Sequence, residues 1–175
     1  MVGARSEALA VQFDRILEEA GAALNRVAGS YETNPQLRED LFQEICLAIW
    51  QALPRFRGES SERTFIFRIA HNRGLSHCWR RRGGPRQLPE DAVPPSPRPD
   101  PETEAVQAQS RNQLLDAVRD LPVGLRQVVT LTLEGLSLKE VSEVLEITEN
   151  NVAVRLTRAR GMLRTALESG EGQRQ

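Results

Sequence analysis

Short polar and basic side chains recur at helical spacing between Asn150 and Arg164, in a pattern that suits contact with DNA. The residues expected on the outer face are Asn150, Ala153, Val154, Thr157 and Arg158, with Arg155 and Arg160 on the flanks. Short side chains near the start of such a helix can reach base edges in the major groove, and arginines can neutralise phosphates. No acidic residue occurs from Val152 to Arg164. The segment therefore predicts a DNA-contacting helix, and the alternative is an ordinary helical hairpin with a solvated basic face.

A second short helix is predicted directly before this one. Ser137 can cap it, and Glu140 three residues later completes a capping box. The apolar residues on its inner face are Leu138, Val141, Val144 and Leu145. Thr148 can then cap the outer helix, so the two helices and their tight turn predict a helix-turn-helix. Glu146 stands where this motif often has glycine, and we expect the turn to adopt a conformation that does not require glycine.

Acidic and amide residues gather on one side of a predicted helix that runs from Pro35 or Gln36 to Leu53. They are Glu39, Asp40, Gln43 and Glu44, and Trp50 follows. Apolar residues on the other side, from Leu37 to Ala52, keep the helical period. The polar side is either a plain solvated face or a docking surface for a basic helical partner.

A polar loop and a basic helix come next. The loop carries Phe56 between two arginines, and these side chains could hold an unstacked base, unless Phe56 merely turns inward. The helix is predicted over Glu62–Arg82. Its polar residues include Asn72, Ser76 and His77, and Trp79 lies among its arginines. A basic helix with interleaved aromatic residues is typical of a nucleic-acid surface.

The fold class predicted for these 175 residues is all-α, with two small helical domains on a flexible tether. The first domain is assigned to residues 1–82 and begins with a helix over about Ser6–Ala28. Residues 83–101 are rich in proline and glycine and are expected to form the linker. The second domain is assigned to 102–168, and 169–175 to a frayed tail. The alternating segment Val129–Leu133 is interpreted as helix, because a single strand would have no partner.

Several classes of function are disfavoured. Cys46 and Cys78 form no CxxC pair, so they are expected to be buried or partly buried thiols rather than metal ligands or a disulfide scaffold. No metal or cofactor site is predicted, and no nucleophile constellation or phosphate-binding glycine loop indicates an enzyme. No apolar run approaches the length of a membrane span, and no signal segment is recognised. A cytoplasmic protein is therefore expected.

In order along the chain, these segments resemble the extracytoplasmic-function class of bacterial sigma factors. Arg38–Gly58 is similar to the core-polymerase-binding helix and loop of sigma region two, and reads REDLFQEICLAIWQALPRFRG. Thr64–Gly83 is similar to the promoter-melting helix, and reads TFIFRIAHNRGLSHCWRRRG. Leu121–Leu163 resembles region four and ends in the segment RLTRARGML. The large intermediate domains of housekeeping sigma factors are absent.

The resemblance implies a role for each segment. It implies that core polymerase is bound, through the clamp helices of its largest subunit, by Asp40, Gln43, Glu44 and Leu47. It implies that the −10 promoter element is bound by Arg57, Gly58, Ser60, Ser61, Asn72, Arg73, Ser76, His77 and Arg80. It implies that the −35 element is read by Asn150, Asn151, Ala153, Val154, Arg155, Thr157 and Arg158. Further implied partners are the polymerase flap region, promoter DNA and an anti-sigma factor.

The resemblance implies a sigma factor that directs promoter-specific initiation, and its class implies a role in stress responses. Two other functions compete with this interpretation. One is a free-standing helix-turn-helix regulator that binds DNA without polymerase. Such a regulator has no need of the acidic surface joined to an aromatic, basic helix, so the first half of the chain separates the two. The other is an enzyme, for which the residues supply no complete site.

Overall fold

The computed structural model describes residues 2–81 and 117–172, and every regular element in these two ranges is a helix. The all-α prediction is confirmed. The chain divides into two compact units, of which the first contains the three helices that precede residue 82. The predicted linker, the predicted start of the second domain at residue 102 and the end of the tail lie outside the described residues.

Helix α1 spans Val2–Tyr31, which is longer at both ends than the predicted Ser6–Ala28. It continues through Gly29 and Ser30, beyond the predicted end at Ala28. The Ser30 hydroxyl donates to the Val27 carbonyl at 2.7 Å, and Tyr31 is buried at the end of the helix. Burial of this last turn therefore outweighs the weak helix propensity of its glycine and serine.

Helix α2 spans Pro35–Ala52, close to the predicted bounds, and a short 3-10 turn follows over Leu53–Arg55. Asn34 caps α2, because its Oδ1 accepts from the backbone N–H groups of Gln36 at 3.0 Å and Leu37 at 3.2 Å. Pro35 occupies the first turn, where its missing N–H leaves no hydrogen bond unmade. The start of α2 is thus fixed by local chemistry that the sequence makes visible.

Helix α3 spans Glu62–Arg81, and α1, α2 and α3 pack against one another. The centre of this three-helix unit is fully buried and is formed by Ile16, Leu24, Leu41, Ile45, Ile49 and Phe67. Gly74 of α3 lies against the ring of Tyr31, so closely that a Cβ at this position would be 2.4 Å from Tyr31 Cδ2. Glycine therefore sets the approach of α1 to α3.

In residues 117–172, the segment 117–120 is helical, and α4 spans Val123–Leu133, α5 spans Leu138–Leu145 and α6 spans Glu149–Gly172. Helix α4 packs on α6. The predicted helical state of Val129–Leu133 is confirmed. Gly135 ends α4 with φ 82°, and Leu136 N–H donates to the Leu131 carbonyl at 3.2 Å. This is the glycine-terminated helix end expected where a chain turns sharply.

Candidate DNA and polymerase surfaces

The polar side of α2 is exposed because its apolar side fills the core. Leu41, Ile45 and Ile49 are fully buried, so residues half a turn away face outward. Of the residues predicted to bind polymerase, Asp40 and Gln43 are exposed and Leu47 has 56% of its surface accessible. Trp50 continues this side, and its ring packs edge-on against Phe13 of α1 at 5.3 Å between centroids. The result is an acidic and amide face with large apolar side chains in it.

Glu44, the fourth residue predicted to bind polymerase, differs from the other three. It is half-buried, and both of its carboxylate oxygens accept from Arg80 of α3, at 2.9 and 2.7 Å. Arg80 was assigned to the −10 element. The structure therefore brings together one residue from each of two predicted surfaces.

The loop between α2 and α3 keeps its aromatic residue inward and its polar residues outward. The ring of Phe56 lies 4.7 Å from that of Phe65, and Phe56 is half-buried. Arg57 and Gly58 are exposed, and Gly58 has φ 75°, a conformation that favours glycine. An added Cβ on Gly58 would meet no atom within 4 Å, so the loop is open on this side.

Ser60 and Ser61 close the loop in different ways. Ser61 Oγ accepts from Thr64 N–H at 3.0 Å and also donates to Thr64 Oγ1 at 2.9 Å, which caps α3. Ser60 Oγ donates to the Ser61 carbonyl at 3.4 Å. The Ser61 hydroxyl is therefore engaged in holding the start of the helix, and the exposed Arg57 is better placed to meet a ligand.

The outer face of α3 carries Asn72, Arg73, Ser76 and Arg80. Asn72 and Arg73 are exposed, while Ser76 is half-buried and donates to the Asn72 carbonyl at 2.9 Å. Trp79 is also on the surface, with 37% of its area accessible. These residues make a basic and polar strip with an aromatic ring, which suits contact with a nucleic-acid backbone and bases.

His77 does not lie on that strip, and here the structure departs from the prediction. It is buried, and its Nε2 lies 2.9 Å from Glu32 Oε2. Arg81 also binds Glu32 Oε2, and Asn34 N–H donates to Glu32 Oε1 at 2.9 Å. His77 is seven residues after the buried Ala70, which places it on the inner side of α3. The seven-residue spacing from Ala70 therefore indicates a buried position for His77. Histidine is polar, and for that reason it was predicted to be exposed.

Glu32 lies at the centre of this cluster, and it is not among the residues predicted to be functional. Only 2% of its surface is accessible. Burial raises the pKa of its carboxyl, but the hydrogen bonds from His77, Asn34 and Arg81 outweigh burial and hold that pKa below its usual value. Glu32 therefore stays ionised while tying the end of α1 to the end of α3.

His71 is a second buried histidine of α3. Its Nδ1 lies 2.5 Å from the Tyr31 hydroxyl, and burial lowers its pKa to about 4. At neutral pH the imidazole is uncharged, so Nδ1 can accept a hydrogen bond from the Tyr31 hydroxyl. His71 and Tyr31 hence form part of the packing between α1 and α3 rather than an exposed binding site.

The helix-turn-helix has the caps that its sequence predicted. Glu140 N–H donates to Ser137 Oγ at 3.3 Å, and the Glu140 carboxylate accepts from Ser137 N–H at 2.8 Å. Thr148 Oγ1 accepts from Asn151 N–H at 3.2 Å at the start of α6. The inner side of α6 is formed by Val152, Leu156 and Ala159, which are buried.

The turn itself contradicts the expectation for Glu146. This residue has φ 55°, the left-handed conformation that a glycine would adopt there. Ile147 N–H donates to the Ser142 carbonyl at 3.1 Å across it, which is the usual hydrogen bond at a helix end of this kind. The motif therefore keeps its ordinary geometry, and glutamate accepts backbone strain that glycine would avoid.

The predicted reading face of α6 is mostly exposed. Asn150, Thr157 and Arg158 are exposed, and Val154 has 42% of its surface accessible. Ala153 is half-buried and is the acceptor, through its carbonyl, of the Thr157 hydroxyl at 3.0 Å. Asn151 and Arg155 are half-buried, and Arg155 Nε donates to Asn151 Oδ1 at 3.0 Å. This face presents the amide of Asn150, the apolar side chain of Val154 and the guanidinium of Arg158 within about two helical turns.

Comparison with known proteins assigns a protein family to both parts of the chain. Residues 16–83 match the family model for Sigma-70 region 2, and residues 111–163 match that for Sigma-70, region 4. The chain is 30% identical over 139 residues to the ECF RNA polymerase sigma-E factor of Haemophilus influenzae, which covers 74% of each protein. It is 31% identical over 154 residues to the ECF RNA polymerase sigma factor ShbA of Streptomyces griseus, covering 83% of this chain and 78% of that protein. The chain belongs to the ECF sigma factor family.

This sigma factor also shares its fold with solved structures of sigma factors. One is CnrH, solved in complex with the cytosolic domain of CnrY, with a TM-score of 0.66, 23% identity and coverage of 93% of this chain and 96% of CnrH. Another is RpoE of Bartonella quintana, solved with the anti-sigma factor NepR, with a TM-score of 0.68, 22% identity and coverage of 90% and 97%. At these identities the likeness shows the fold alone.

Family membership establishes the general function. The sigma factor binds core RNA polymerase and promoter DNA, and it directs transcription initiation from promoters. The match of region 2 to the first unit disfavours a free-standing helix-turn-helix regulator. Sigma factors are not an enzyme family.

Neither a metal site nor a membrane-spanning helix is found in the parts of the sigma factor that the structure describes. Across residues 2–81 and 117–172, no three His, Cys, Asp or Glu side chains are grouped so that they could hold a metal ion. None of the helices there is long and apolar enough to cross a membrane. Cys78 is buried and Cys46 is half-buried, as predicted for both.

Proposed function

We propose that the exposed side of α2 is the surface that binds the clamp helices of the polymerase largest subunit. The observation that carries this assignment is the exposure of Leu47 beside Asp40 and Gln43. A large apolar side chain flanked by acidic and amide groups fits a basic, partly apolar protein partner. DNA would be repelled by the same carboxylates, so this surface and the nucleic-acid surfaces serve different partners.

The loop before α3 and the outer strip of α3 are assigned to the −10 element. Arg57, Gly58 and Ser60 would line a pocket for an unpaired base, with Ser61 holding the start of α3 beneath them. Asn72, Arg73, Ser76 and Arg80 would follow the adjoining strand. Capture of an unpaired base offsets the free energy of unstacking and so keeps the duplex open. His77 has a structural role in this assignment, since it is buried against Glu32.

Helix α6 is assigned to the −35 element. Asn150 and Arg158 would meet base edges or phosphates, and Val154 offers apolar contact such as with a thymine methyl group. Arg155 is held by Asn151, so this pair would act together at the edge of the groove. Two separate DNA contacts carried by one polymerase reinforce each other through effective concentration, which suits two domains on a tether.

The setting of this activity is the cytoplasm, where core polymerase and promoters are found. An anti-sigma factor that covers the polymerase- and DNA-binding surfaces would keep the protein inactive until a stress signal arrives. Support for regulation of this type comes from the two structural relatives, which were solved with CnrY and NepR. The polymerase flap region is the assigned partner of the second unit.

Reconstituted transcription tests the function as a whole. The purified protein is added to bacterial core polymerase on fragmented genomic DNA from the source organism, and the new 5′ ends are sequenced. We expect discrete starts that depend on the protein and share two upstream motifs. The absence of new starts, with duplex binding retained without core polymerase, would instead favour the free-standing regulator.

The polymerase surface is tested separately by the double substitution Asp40→Arg with Leu47→Ser. Glu44 is left intact, because it also holds Arg80. The matched control is Asp14→Arg with Glu18→Ser, two exposed acidic residues of α1. We expect the first variant to lose co-purification with core polymerase and the control to keep it. Equal binding by both variants would remove α2 from the interface.

A further inference from the structure

Glu62, in the first turn of α3, is held by two side chains of α1. Gln12 Nε2 donates to Glu62 Oε1 at 2.7 Å, and Arg15 Nη2 donates to Glu62 Oε2 at 2.7 Å. The Glu62 side chain is 26% exposed, so this contact lies at the edge of the core. Hydrogen bonds between ionised groups are shorter and stronger than neutral ones. Two bonds on two different oxygens fix both the position and the orientation of this carboxylate.

Glu62 directly follows the loop that was assigned to the −10 element. Ser61 caps α3 through Thr64, whose surface is 1% exposed, and Phe56 packs on Phe65. From Arg57 to Ser61, by contrast, the side chains are exposed or half-buried, and Gly58 has no neighbouring atom at its Cβ position. The loop therefore takes its position from its two ends, and the α3 end is attached to α1 at Glu62.

We propose that Gln12 and Arg15 are positioning residues for base selection at the −10 element, acting through Glu62 on the loop Arg57–Ser61. This inference rests on the proposed role of that loop. A binding pocket discriminates between bases only when its groups are held within about 0.5 Å of their working positions. The pKa of Glu62 is consistent with a firm hold: burial raises it, but the bonds from Gln12 and Arg15 lower it below its usual value.

The second ion pair of Arg15 provides a matched control. It also pairs with Glu19 one turn along α1, with Nη1 3.2 Å from Oε2. Glu19→Gln therefore removes the second contact of the same arginine and leaves Glu62 untouched. The test variant is Gln12→Ala with Arg15→Gln, which removes the amide and the guanidinium that bind Glu62 and changes no residue of the loop.

The experiment measures open-complex formation by holoenzyme on two promoters that differ by one base pair in the −10 element. The readout is the rate on the preferred promoter divided by the rate on the other promoter. Loss of folded protein lowers both rates equally and leaves this ratio unchanged. We expect the double variant to reduce this ratio about three- to tenfold, corresponding to the loss of hydrogen bonds to a charged group. Glu19→Gln is expected to keep the ratio of the original protein. An unchanged ratio in the double variant overturns the inference.

A second series separates this inference from the role of the loop. Arg57→Ala and Ser60→Ala should each lower the ratio if the loop reads the −10 element. If they do not, the proposed function of the loop is wrong and the inference is overturned with it. In a Glu62→Gln background, Arg15→Gln should have little additional effect, since the bonded carboxylate is already lost. Fully additive effects would show that Arg15 acts through another residue and would overturn the inference.

Discussion

Glu44 of α2 and Arg80 of α3 form an ion pair in which Arg80 Nη2 lies 2.9 Å from one oxygen of the carboxylate and 2.7 Å from the other. Glu44 belongs to the proposed polymerase surface and Arg80 to the proposed −10 surface. A partner that engages either residue must compete with this pair. Both side chains are substantially exposed, at 40% and 56%, so the pair stabilises the protein by less than about 1 kcal/mol. The ion pair therefore opposes binding of either partner only weakly, and breaking the pair should favour that binding.

We expect Arg80→Gln to tighten core-polymerase binding by up to about fivefold, because Glu44 would no longer have to leave its pair, worth at most ~1 kcal/mol. The measurement is the Kd for core polymerase at low salt, where ion pairs are screened least. Arg73→Gln is the matched control, since it removes an exposed arginine of α3 that is not bonded to Glu44. Weaker binding by Arg80→Gln than by the control would show that Arg80 itself contacts polymerase.

Gly74→Ala should destabilise the first unit by about 1–3 kcal/mol, because the added methyl group would overlap the buried ring of Tyr31. Urea unfolding followed by circular dichroism measures the effect. The control is Gly21→Ala in α1, where an added Cβ meets no atom within 4 Å. That substitution should stabilise the unit by about 0.5–1 kcal/mol, since alanine is the better helix former. Equal effects at the two positions would contradict the close packing described for Gly74.

The sequence predicted those parts of the fold whose physical cause is local. The predicted start of α2 at Pro35 or Gln36 agrees with the structure, and the predicted pair Ser137 and Glu140 starts α5 through bonds between residues three apart. The inner and outer faces of α2 and the outer face of α6 followed from the helical period. These features need no knowledge of distant residues, which is why most of the candidate residues on α2 and α6 lie on the exposed sides of their helices.

Contacts between distant residues were beyond sequence reasoning. His77 is buried because Glu32, 45 positions away, supplies a carboxylate for it. Glu62 is held by side chains of α1 that are 47 and 50 positions away. Polar residues occur on both sides of α3, so the sequence does not indicate which side faces the core. The packing of the three helices determines that side, and it also brings Glu44 and Arg80, from two different predicted surfaces, into contact.

Glu146→Gly should stabilise the helix-turn-helix by about 0.5–1 kcal/mol, because glycine adopts a φ of 55° without the clash that a Cβ introduces. Thermal unfolding of the full chain measures the shift. Glu146→Ala is the control, since it removes the carboxylate but keeps the Cβ and hence the strain. If alanine stabilises as much as glycine, the charge of Glu146 rather than its backbone conformation is responsible.

Acid should destabilise the protein through His71. Its pKa of about 4 in the folded state lies below the usual 6.5, so the unfolded state takes up a proton first as the pH falls. The contribution of His71 is near zero at pH 7 and reaches a loss of about 2 kcal/mol at pH 5. His71→Gln keeps an acceptor for the Tyr31 hydroxyl and cannot ionise. We expect unfolding in urea to depend less on pH in this variant by that amount.

His77 is present in both proteins of that comparison, so its own contribution cancels in the difference. The lowered pKa of Glu32 acts in the same direction, but its stabilisation is lost only below the usual carboxyl pKa, as the pH falls toward the lowered pKa of the folded state. The interval between pH 7 and pH 5 therefore isolates His71. An identical pH dependence in the variant and the original protein would mean that the pKa of His71 is the same in the folded and unfolded states, and would contradict its lowering by burial.

Arg158→Ala should weaken holoenzyme binding to the −35 element by about 1–3 kcal/mol if the exposed guanidinium of α6 bonds a base edge. The loss should appear on the promoter duplex and not on a duplex with a scrambled −35 sequence. Arg160→Ala, on the flank of the same helix, is expected to weaken binding to both duplexes equally and to reduce the dependence on salt by about one unit of slope, as a phosphate contact does. Titrations at several salt concentrations distinguish the two arginines. An Arg158→Ala variant that behaves like Arg160→Ala would move Arg158 from the bases to the backbone, and one with unchanged affinity would remove it from the interface.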